Sequence, residues 1–408
     1  MEQDTIATLA LIAIIAVLSP VLADLLRRFR IPGVVIEIVL GIIIGPQVLA
    51  LATPDDIVTG LSELGLAFLM FLAGYEIELS EIKGKSLNRA AAGWGLSLVV
   101  AFTFAFLLIE VGEGLSTLMI GLALTTTALG TLLPIVRDAG ILETRFGGYI
   151  MGIGTVGEFG PIVAIAVLLS GDAPIHTLIL LAVFIGIAVL AAVLMLRARP
   201  PRWLELLRKN LHSSAQLPIR VSVLLIIALV WVAADLGLDV LLGAFAAGMI
   251  LRMAAGGPDR ETVRIKLEAI GFGFLIPIFF IVSGMKFDID ALLSDRSELI
   301  RVPMFLLAFL VVRGLPVLAL YRDDLPGIQR NALALMAGTQ LPLVVVITTI
   351  GLDTGQMLPS NAAALVGAAM LSVLLYPSIG LGLLKRAGVL PEPGATEGPT
   401  VAAAPDGA

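Results

Sequence analysis

Long apolar runs, separated only by short charged or Pro/Gly-rich stretches, recur along the chain from its first residues to about residue 385. A helix needs about 20 predominantly apolar residues to cross the hydrocarbon core of a bilayer. Inside the bilayer every backbone N–H and C=O must find a partner within the protein, and a helix provides one for each. The sequence therefore predicts an all-α polytopic membrane protein, and this prediction fits a chain that is 58% hydrophobic and 14% charged.

The runs predict about thirteen transmembrane helices. They lie near 5–26, 33–52, 57–77, 90–109, 115–136, 147–170, 174–196, 219–235, 238–254, 267–285, 301–321, 328–350 and 361–384. Spans of this number take up nearly all of the 408 residues and leave no room for a soluble catalytic domain. The chain has no cysteine and two histidines, a composition that disfavours disulfides and resident metal sites. We therefore expect no enzyme activity, no cofactor and no nucleic-acid partner.

The basic residues indicate how the spans are oriented. With the N-terminus outside, most of the 26 lysines and arginines lie in loops on the cytoplasmic side, as the positive-inside rule requires. Glu2 and Asp4 precede the first span and Arg27 and Arg28 follow it, which is the reverse of the charge order in a cleavable signal peptide. We expect a multi-pass protein of the cell membrane, such as a bacterial inner membrane, with its C-terminus in the cytoplasm.

Residues 1–385 are predicted to form one transmembrane domain. Within it, the basic amphipathic stretch 199–218 is expected to lie at the cytoplasmic interface and to join two halves of the protein. Residues 386–408 are rich in Pro, Gly and Ala and are expected to be a disordered cytoplasmic tail, with no folded domain after the membrane part.

Several polar residues share one depth near the middle of their predicted spans. Glu158 and Arg313 are the charged members, and Gln340 lies at a similar depth. An ionisable side chain at the bilayer centre costs at least about 2.5–3.5 kcal/mol on insertion scales, so each one requires a reason. We predict that Glu158 carries the transported species and that Arg313 is its charge partner. The competing interpretation is a purely structural role for each side chain.

Two predicted spans contain polar breaks at mid-membrane. The span 115–136 contains a threonine triplet at 125–127 followed by a glycine, and the span 328–350 contains Gly-Thr-Gln before a proline. Interrupted helices leave backbone groups unpaired, and this is tolerated where those groups line a site. Broken helices in corresponding positions of two halves indicate a transporter built from inverted repeats.

The side chains at these breaks are the predicted ligands of a monovalent cation, because hard cations prefer oxygen ligands. The predicted set is Thr126, Thr127, Glu158, Thr339 and Gln340. The competing interpretation is that the threonines bond only to their own helix, as membrane threonines often do. No other metal site is predicted.

The segments 32–46, 63–79 and 276–289, in this order and together with the broken helices, resemble the monovalent cation/proton antiporters. The nearer branch is that of the glutathione-gated potassium-efflux systems and bacterial sodium/proton antiporters. The resemblance implies a thirteen-helix fold with a dimerisation panel, a moving core with two crossing broken helices, and a homodimer. It places Glu158 at the ion-binding carboxylate and Arg313 at the basic position of the core.

Two features depart from the pattern that the resemblance implies. Gly157 stands where the family has an acidic, Asn or Gln side chain, and Glu158 stands where it has Asp. The nucleotide-binding domain of many potassium-efflux relatives has no counterpart in this sequence, so ligand gating of that kind is not expected.

Together these features predict a secondary transporter that exchanges Na⁺ or K⁺ for H⁺ across the lipid bilayer by alternating access. Glu158 would bind the cation and the proton in turn, and with one carrier the exchange would be electroneutral. Two other classes remain open at this point. One is a sodium-coupled symporter of an organic anion, and the other is a channel-like membrane protein without coupled exchange.

Overall fold

The computed structural model describes residues 3–26, 31–76, 85–109, 117–168, 174–197, 216–238, 240–254, 260–293 and 296–390. Most of the predicted linker 199–218 and of the predicted tail 386–408 lies outside these ranges. The described part is helical throughout and contains no β-strand. The predicted fold class is thereby confirmed.

Seventeen α-helices make up the described part of the chain. They are α1 (Gln3–Leu25), α2 (Gly33–Ile44), α3 (Asp56–Glu76), α4 (Lys85–Ile109), α5 (Thr117–Leu124), α6 (Leu129–Asp138), α7 (Arg145–Leu168), α8 (Pro174–Arg197), α9 (Leu217–Asp235), α10 (Val240–Ala254), α11 (Arg260–Ile270), α12 (Ile276–Met285), α13 (Ile289–Leu293), α14 (Arg296–Leu320), α15 (Gly327–Ala337), α16 (Pro342–Asp353) and α17 (Pro359–Arg386). A π-helical turn, Gly271–Leu275, joins α11 to α12.

In the described residues, nine helical stretches are long and apolar enough to cross a membrane, and four shorter apolar helices accompany them. Each of the thirteen predicted spans overlaps one of these stretches, while the number that cross the bilayer stays a prediction. One boundary was predicted wrongly. The second span was predicted to reach residue 52, but α2 ends at Ile44, and turns after Gly45 fold back onto the helix end through the bond from Ala52 N to Ile44 O.

The helices pack in two groups that repeat in the same order along the chain. Helices α1–α3 and α9–α12 pack on one another and form a group that we call the panel. Helices α4–α7 and α14–α17 form a second group that we call the core. Helix α8 packs mainly on α10, and also on α7, so it contacts both groups. A panel–core order that occurs twice is the arrangement predicted for inverted repeats.

Glycines bring the panel helices into backbone contact. A Cβ at Gly74 of α3 would overlap the carbonyl of Phe245 on α10, and a Cβ at Gly248 of α10 would overlap the carbonyl of Phe71 on α3. Helices α2 and α12 approach each other equally closely, since a Cβ at Gly41 of α2 would overlap a backbone carbonyl of α12. Small residues at such crossings let helix backbones pack closely in a membrane. The panel is therefore tightly packed along both helix pairs.

Candidate functional site

Both predicted helix breaks are present, and they cross. Helix α5 ends at Leu124 and α6 begins at Leu129, while α15 ends at Ala337 and α16 begins at Pro342. The backbone N–H of Ala128, in the first break, donates to the carbonyl of Thr339, in the second, over 2.8 Å. Polar backbone groups that a broken helix leaves free are thus used to hold the two breaks together.

Gln340 connects the two breaks through its side chain. Its Nε2 donates to the carbonyl of Leu124 over 3.1 Å, and its Oε1 accepts from the hydroxyl of Thr126 over 2.9 Å. Its backbone N–H donates to Ser372 Oγ of α17 over 2.9 Å. Gln340 and Thr126 are 0% and 1% exposed, so these hydrogen bonds lie out of reach of water.

Arg313 of α14 lies inside the core and donates to three neutral acceptors. Its Nε donates to Thr127 Oγ1 over 2.9 Å, and its two terminal nitrogens donate to Ser97 Oγ and to the carbonyl of Ile153, each over 3.2 Å. Thr127 in turn donates to the carbonyl of Ala337 over 2.8 Å. Arg313 therefore ties α4, α7 and α14 to the first break.

Glu158 of α7 lies at the start of α6 and is 4% exposed. Its Oε1 accepts from the backbone N–H of Gly130 over 3.2 Å, and its Oε2 has no hydrogen-bond partner among the described residues. The first N–H groups of a helix have no intrahelical partner and carry a partial positive charge, which favours an anion there. The positive end of a broken helix thus faces Glu158.

No ion pair joins Glu158 and Arg313 within the described ranges, and the role of Arg313 as the charge partner of Glu158 stays a prediction. Arg313 and the start of α6 adjoin different faces of α7, because the successive residues Gly157 and Glu158 point about 100° apart around the helix. Gly157 faces the guanidinium, where a Cβ would lie 2.7 Å from an Arg313 nitrogen, while Glu158 faces the start of α6. Their common depth was predicted from the sequence, but it did not determine their lateral contact.

Glu158 lines a cavity of about 1390 Å³ between the core and the panel. The core contributes Glu158, Gly130 and Thr131 to its lining, and the panel contributes Glu37 and Glu76. The ends of α6 and α17 and the start of α2 also line it, so the cavity extends from mid-membrane toward the side on which those helix ends lie.

The predicted cation ligands occupy two places. Glu158 lines the cavity, whereas Thr126, Thr127, Thr339 and Gln340 belong to the crossing of the breaks and are not part of the cavity lining. Within the described ranges the Thr339 hydroxyl is buried without a hydrogen-bond partner, and the other three side chains bond across the crossing. Thr131 adjoins the cavity instead, and it was missed because it follows the break by one helical turn.

Two crossing discontinuous helices at mid-membrane, with a buried carboxylate at the crossing, define the architecture of a secondary transporter. Residues 12–385 match the family described as sodium/hydrogen exchanger, transmembrane, and the chain belongs to this family. The resemblance inferred from the sequence is confirmed.

The chain is similar to curated proteins and to a solved structure. YjbQ of Bacillus subtilis (strain 168) is 30% identical over 406 residues, which are 95% of this chain and 64% of YjbQ. GerN of Bacillus cereus, a Na⁺/H⁺-K⁺ antiporter, is 22% identical over 90% of this chain and 93% of GerN. The sodium proton antiporter MjNhaP1 of Methanocaldococcus jannaschii has the same fold, with a TM-score of 0.68, 16% identity, and coverage of 94% of this chain and 99% of MjNhaP1.

Proposed function

We propose that this protein exchanges a monovalent cation, Na⁺ or K⁺, for H⁺ across the cell membrane by alternating access. The observation that carries the proposal is Glu158, a buried carboxylate in the cavity, one oxygen of which has no hydrogen-bond partner in the part of the chain that the structure describes. A single carboxylate binds a proton or a cation, and binding of one displaces the other. That competition, repeated on each side of the membrane, is exchange. Membership in the sodium/hydrogen exchanger family supports the same conclusion.

The electrostatics of the site suit a carboxylate that is alternately charged and neutral. The N–H of Gly130 at the start of α6 stabilises the charged form. Burial in low dielectric opposes that form unless a cation is bound. A buried, charged carboxylate is therefore stabilised in one of two ways. It binds a cation and stays charged, or it takes up a proton and becomes neutral. We infer that the cation binds to Oε2, with Thr131, which lines the same cavity, and water supplying further oxygens.

We propose a different role for the residues of the crossing. Arg313 keeps its charge at any relevant pH, so it cannot carry a proton. Its hydrogen bonds with Thr127 and Ser97 position the break beside Glu158. Thr126 and Gln340 hold the second break against the first. Arg313 is therefore a positioning residue. The four predicted ligands at the crossing support the site structurally and do not contact the cation.

Movement of the core against the panel would carry Glu158 from one side of the membrane to the other. Glu158 is the only carboxylate that the described core contributes to the cavity lining. One carrier that leaves with either one proton or one cation moves no net charge. We therefore propose electroneutral one-for-one exchange.

We propose that the cavity opens to the cytoplasm, because the helix ends beside it carry the basic loops that the positive-inside rule assigns to that side. The N-terminus is then outside and the C-terminus inside. We also propose a homodimer formed through the panel, as the resemblance to the antiporters implies. The exposed apolar side chains of Ile14, Val17 and Val21 give α1 a surface suited to lipid or to a second copy.

The function is tested with purified protein in liposomes that carry an acid-inside pH gradient and a quenched pH dye. Addition of Na⁺ or K⁺, but not choline, is expected to dequench the dye for the wild type. Glu158→Gln keeps the size of the side chain but can bind neither species as a carboxylate, so exchange is expected to fall to the level of empty liposomes. Glu63→Gln, at an exposed position of α3, is the matched control and is expected to exchange normally.

Two further readouts separate the alternatives. A voltage-sensitive dye is expected to report no charge movement during exchange, and a steady potential would contradict the one-for-one stoichiometry. Downhill cation flux that survives in Glu158→Gln would indicate a channel. The symporter is disfavoured because Arg313, the basic group that an organic anion would need, is buried, is bonded to Thr127, Ser97 and Ile153, and is not part of the cavity lining.

A further inference from the structure

A second buried carboxylate lines the cavity from the panel side. Glu37 belongs to α2, is 8% exposed, and is part of the same cavity lining as Glu158. Among the residues that the structure describes, Glu37 has neither a hydrogen bond nor an ion pair. A carboxylate at this depth without a partner is costly, so a purely structural role does not account for it.

Asp55 shows how this chain satisfies a structural carboxylate. Asp55, just before α3, accepts from the backbone N–H of Val58 over 2.8 Å and from the hydroxyl of Thr5 on α1. These bonds hold the pKa of Asp55 below its ordinary value of 3.8 and tie two panel helices together. Glu37 has no such donors, and its oxygens remain available to a species that enters the cavity.

The charged groups that share the cavity with Glu37 are predominantly acidic. They are Glu76 at the end of α3, Glu158 on α7, and the exposed Lys385 at the end of α17. A cleft lined mainly by one sign of charge and walled by low-dielectric material concentrates counterions. The ligand that this wall suits is a monovalent cation with part of its water shell, since carboxylate oxygens are hard ligands.

We propose that Glu37 is a recruiting site for a hydrated monovalent cation, which it holds in the cavity before the cation reaches Glu158. The inference rests on the exchange activity proposed above. Glu37 belongs to the panel and Glu158 to the core, so Glu37 does not travel with the carrier. It acts only while the cavity lies between the two groups. Cation affinity is therefore raised on one face of the membrane only.

The test compares the two faces of the membrane with sided vesicles from cells that lack their own exchangers. Everted vesicles present the cation to the face where α2 begins, and right-side-out vesicles present it to the other face. For Glu37→Gln, the apparent KM for the cation is expected to rise roughly tenfold in everted vesicles, the lower end of such cleft effects. The maximal rate, and the KM in right-side-out vesicles, are expected to stay at wild-type values.

Control variants separate recruitment from damage to the fold. Glu37→Asp retains the charge and is expected to restore most of the affinity, and the exposed Glu63→Gln is expected to behave as wild type on both faces. Should Glu37→Gln not yield monodisperse protein, Glu37→Ala, which leaves space for water in the cavity, takes its place. A KM unchanged in everted vesicles, or raised equally on both faces, overturns the inference. A wild type without exchange would instead overturn the proposed function.

Discussion

At the scale of single residues, Gly157 explains how a charged arginine is accommodated within the core. A Cβ at Gly157 would lie 2.7 Å from an Arg313 nitrogen and 2.7 Å from Thr127 Cβ, closer than real Cβ contacts. The missing side chain leaves the space in which the guanidinium reaches the carbonyl of Ile153. The departure from the antiporter pattern at this position is thus matched by the position of Arg313.

Gly157→Ala is expected to destabilise the protein and to slow exchange, because Arg313 or Thr127 must shift to admit the methyl group. Overpacking of this kind costs about 1–3 kcal/mol. The measurement is the thermal unfolding midpoint of purified protein in detergent, together with liposome exchange. Gly148→Ala is the matched control on the same helix, since a Cβ there meets nothing within 4 Å. Equal midpoints for the two variants would contradict the role of Gly157.

The sequence predicted which residues lie at the middle of the membrane but not which of them meet. Depth follows from position within an apolar run, and so Glu158, Arg313 and Gln340 were identified as candidates. Lateral contact depends on the rotation of each helix about its axis, which one mid-span position does not determine. For this reason the sequence left open whether Glu158 and Arg313 meet, and the position of Thr131 in the cavity lining was missed.

At the scale of elements, each broken helix completes the other. The carbonyl of Leu124 at the end of α5 accepts from Gln340 Nε2, and the N–H of Ala128 donates to Thr339 of the second break. Unpaired backbone groups in a bilayer cost several kcal/mol each, so neither break is stable without its partner. The crossing is therefore expected to form as one unit.

Gln340→Glu is expected to weaken the crossing. The glutamate keeps the shape of Gln340 but loses the N–H that donates to the carbonyl of Leu124. Its carboxyl group, charged or protonated, also accepts differently from the hydroxyl of Thr126. A buried group left unsatisfied costs about 1–3 kcal/mol. The unfolding midpoint in detergent is expected to fall while that of the half-buried Gln356→Glu stays near wild type. A midpoint for Gln340→Glu equal to that of Gln356→Glu would show that the amide bridge contributes little.

Local chemistry made the two breaks predictable, because polar residues beside glycine and proline interrupt a helix wherever it lies. The early end of α2 at Ile44 was missed, since residues 48–52 remain apolar although they lie outside any helix. The π-helical turn at Gly271–Leu275 was missed as well, since one extra residue in a turn leaves the hydrophobic run uninterrupted.

At the scale of the whole molecule, the panel and the core are held together in different ways. Backbone contacts at glycines such as Gly74 and Gly248 join the panel helices, whereas buried hydrogen bonds around Arg313 join the core helices. The cavity lies between the two groups, and beside it Phe159 of α7 stacks on Phe245 of α10. Relative movement of two such units exposes few unpaired groups within either of them.

Gly74→Ala is expected to prevent correct assembly of the panel. The new methyl group would overlap the carbonyl of Phe245, and only separation of α3 from α10 relieves the overlap. The expected outcome is a large fall in the yield of monodisperse protein, or an unfolding midpoint far below that of Gly60→Ala, a variant at an open position of the same helix. A normal yield and midpoint would mean that the two helices are free to move apart.

The sequence predicted the order of the apolar helices because each is recorded locally as a hydrophobic run. Division into a panel and a core came from the resemblance, since helix pairing depends on shape at distant positions. Gly74 and Phe245 are in contact, but in the sequence they are separated by most of the length of one panel–core repeat. A glycine in a single sequence does not reveal which backbone it approaches.

The glycine contacts of the panel have a consequence for how the protein changes through evolution. At Gly74 and Gly248 even the smallest side chain collides with a carbonyl, so every substitution of these glycines disturbs the packing. The cavity surface around Glu158, Glu37 and Thr131 is not constrained in this way. Descendants of this chain can therefore acquire a different cation preference by single substitutions there, while the scaffold against which the carrier moves is inherited unchanged.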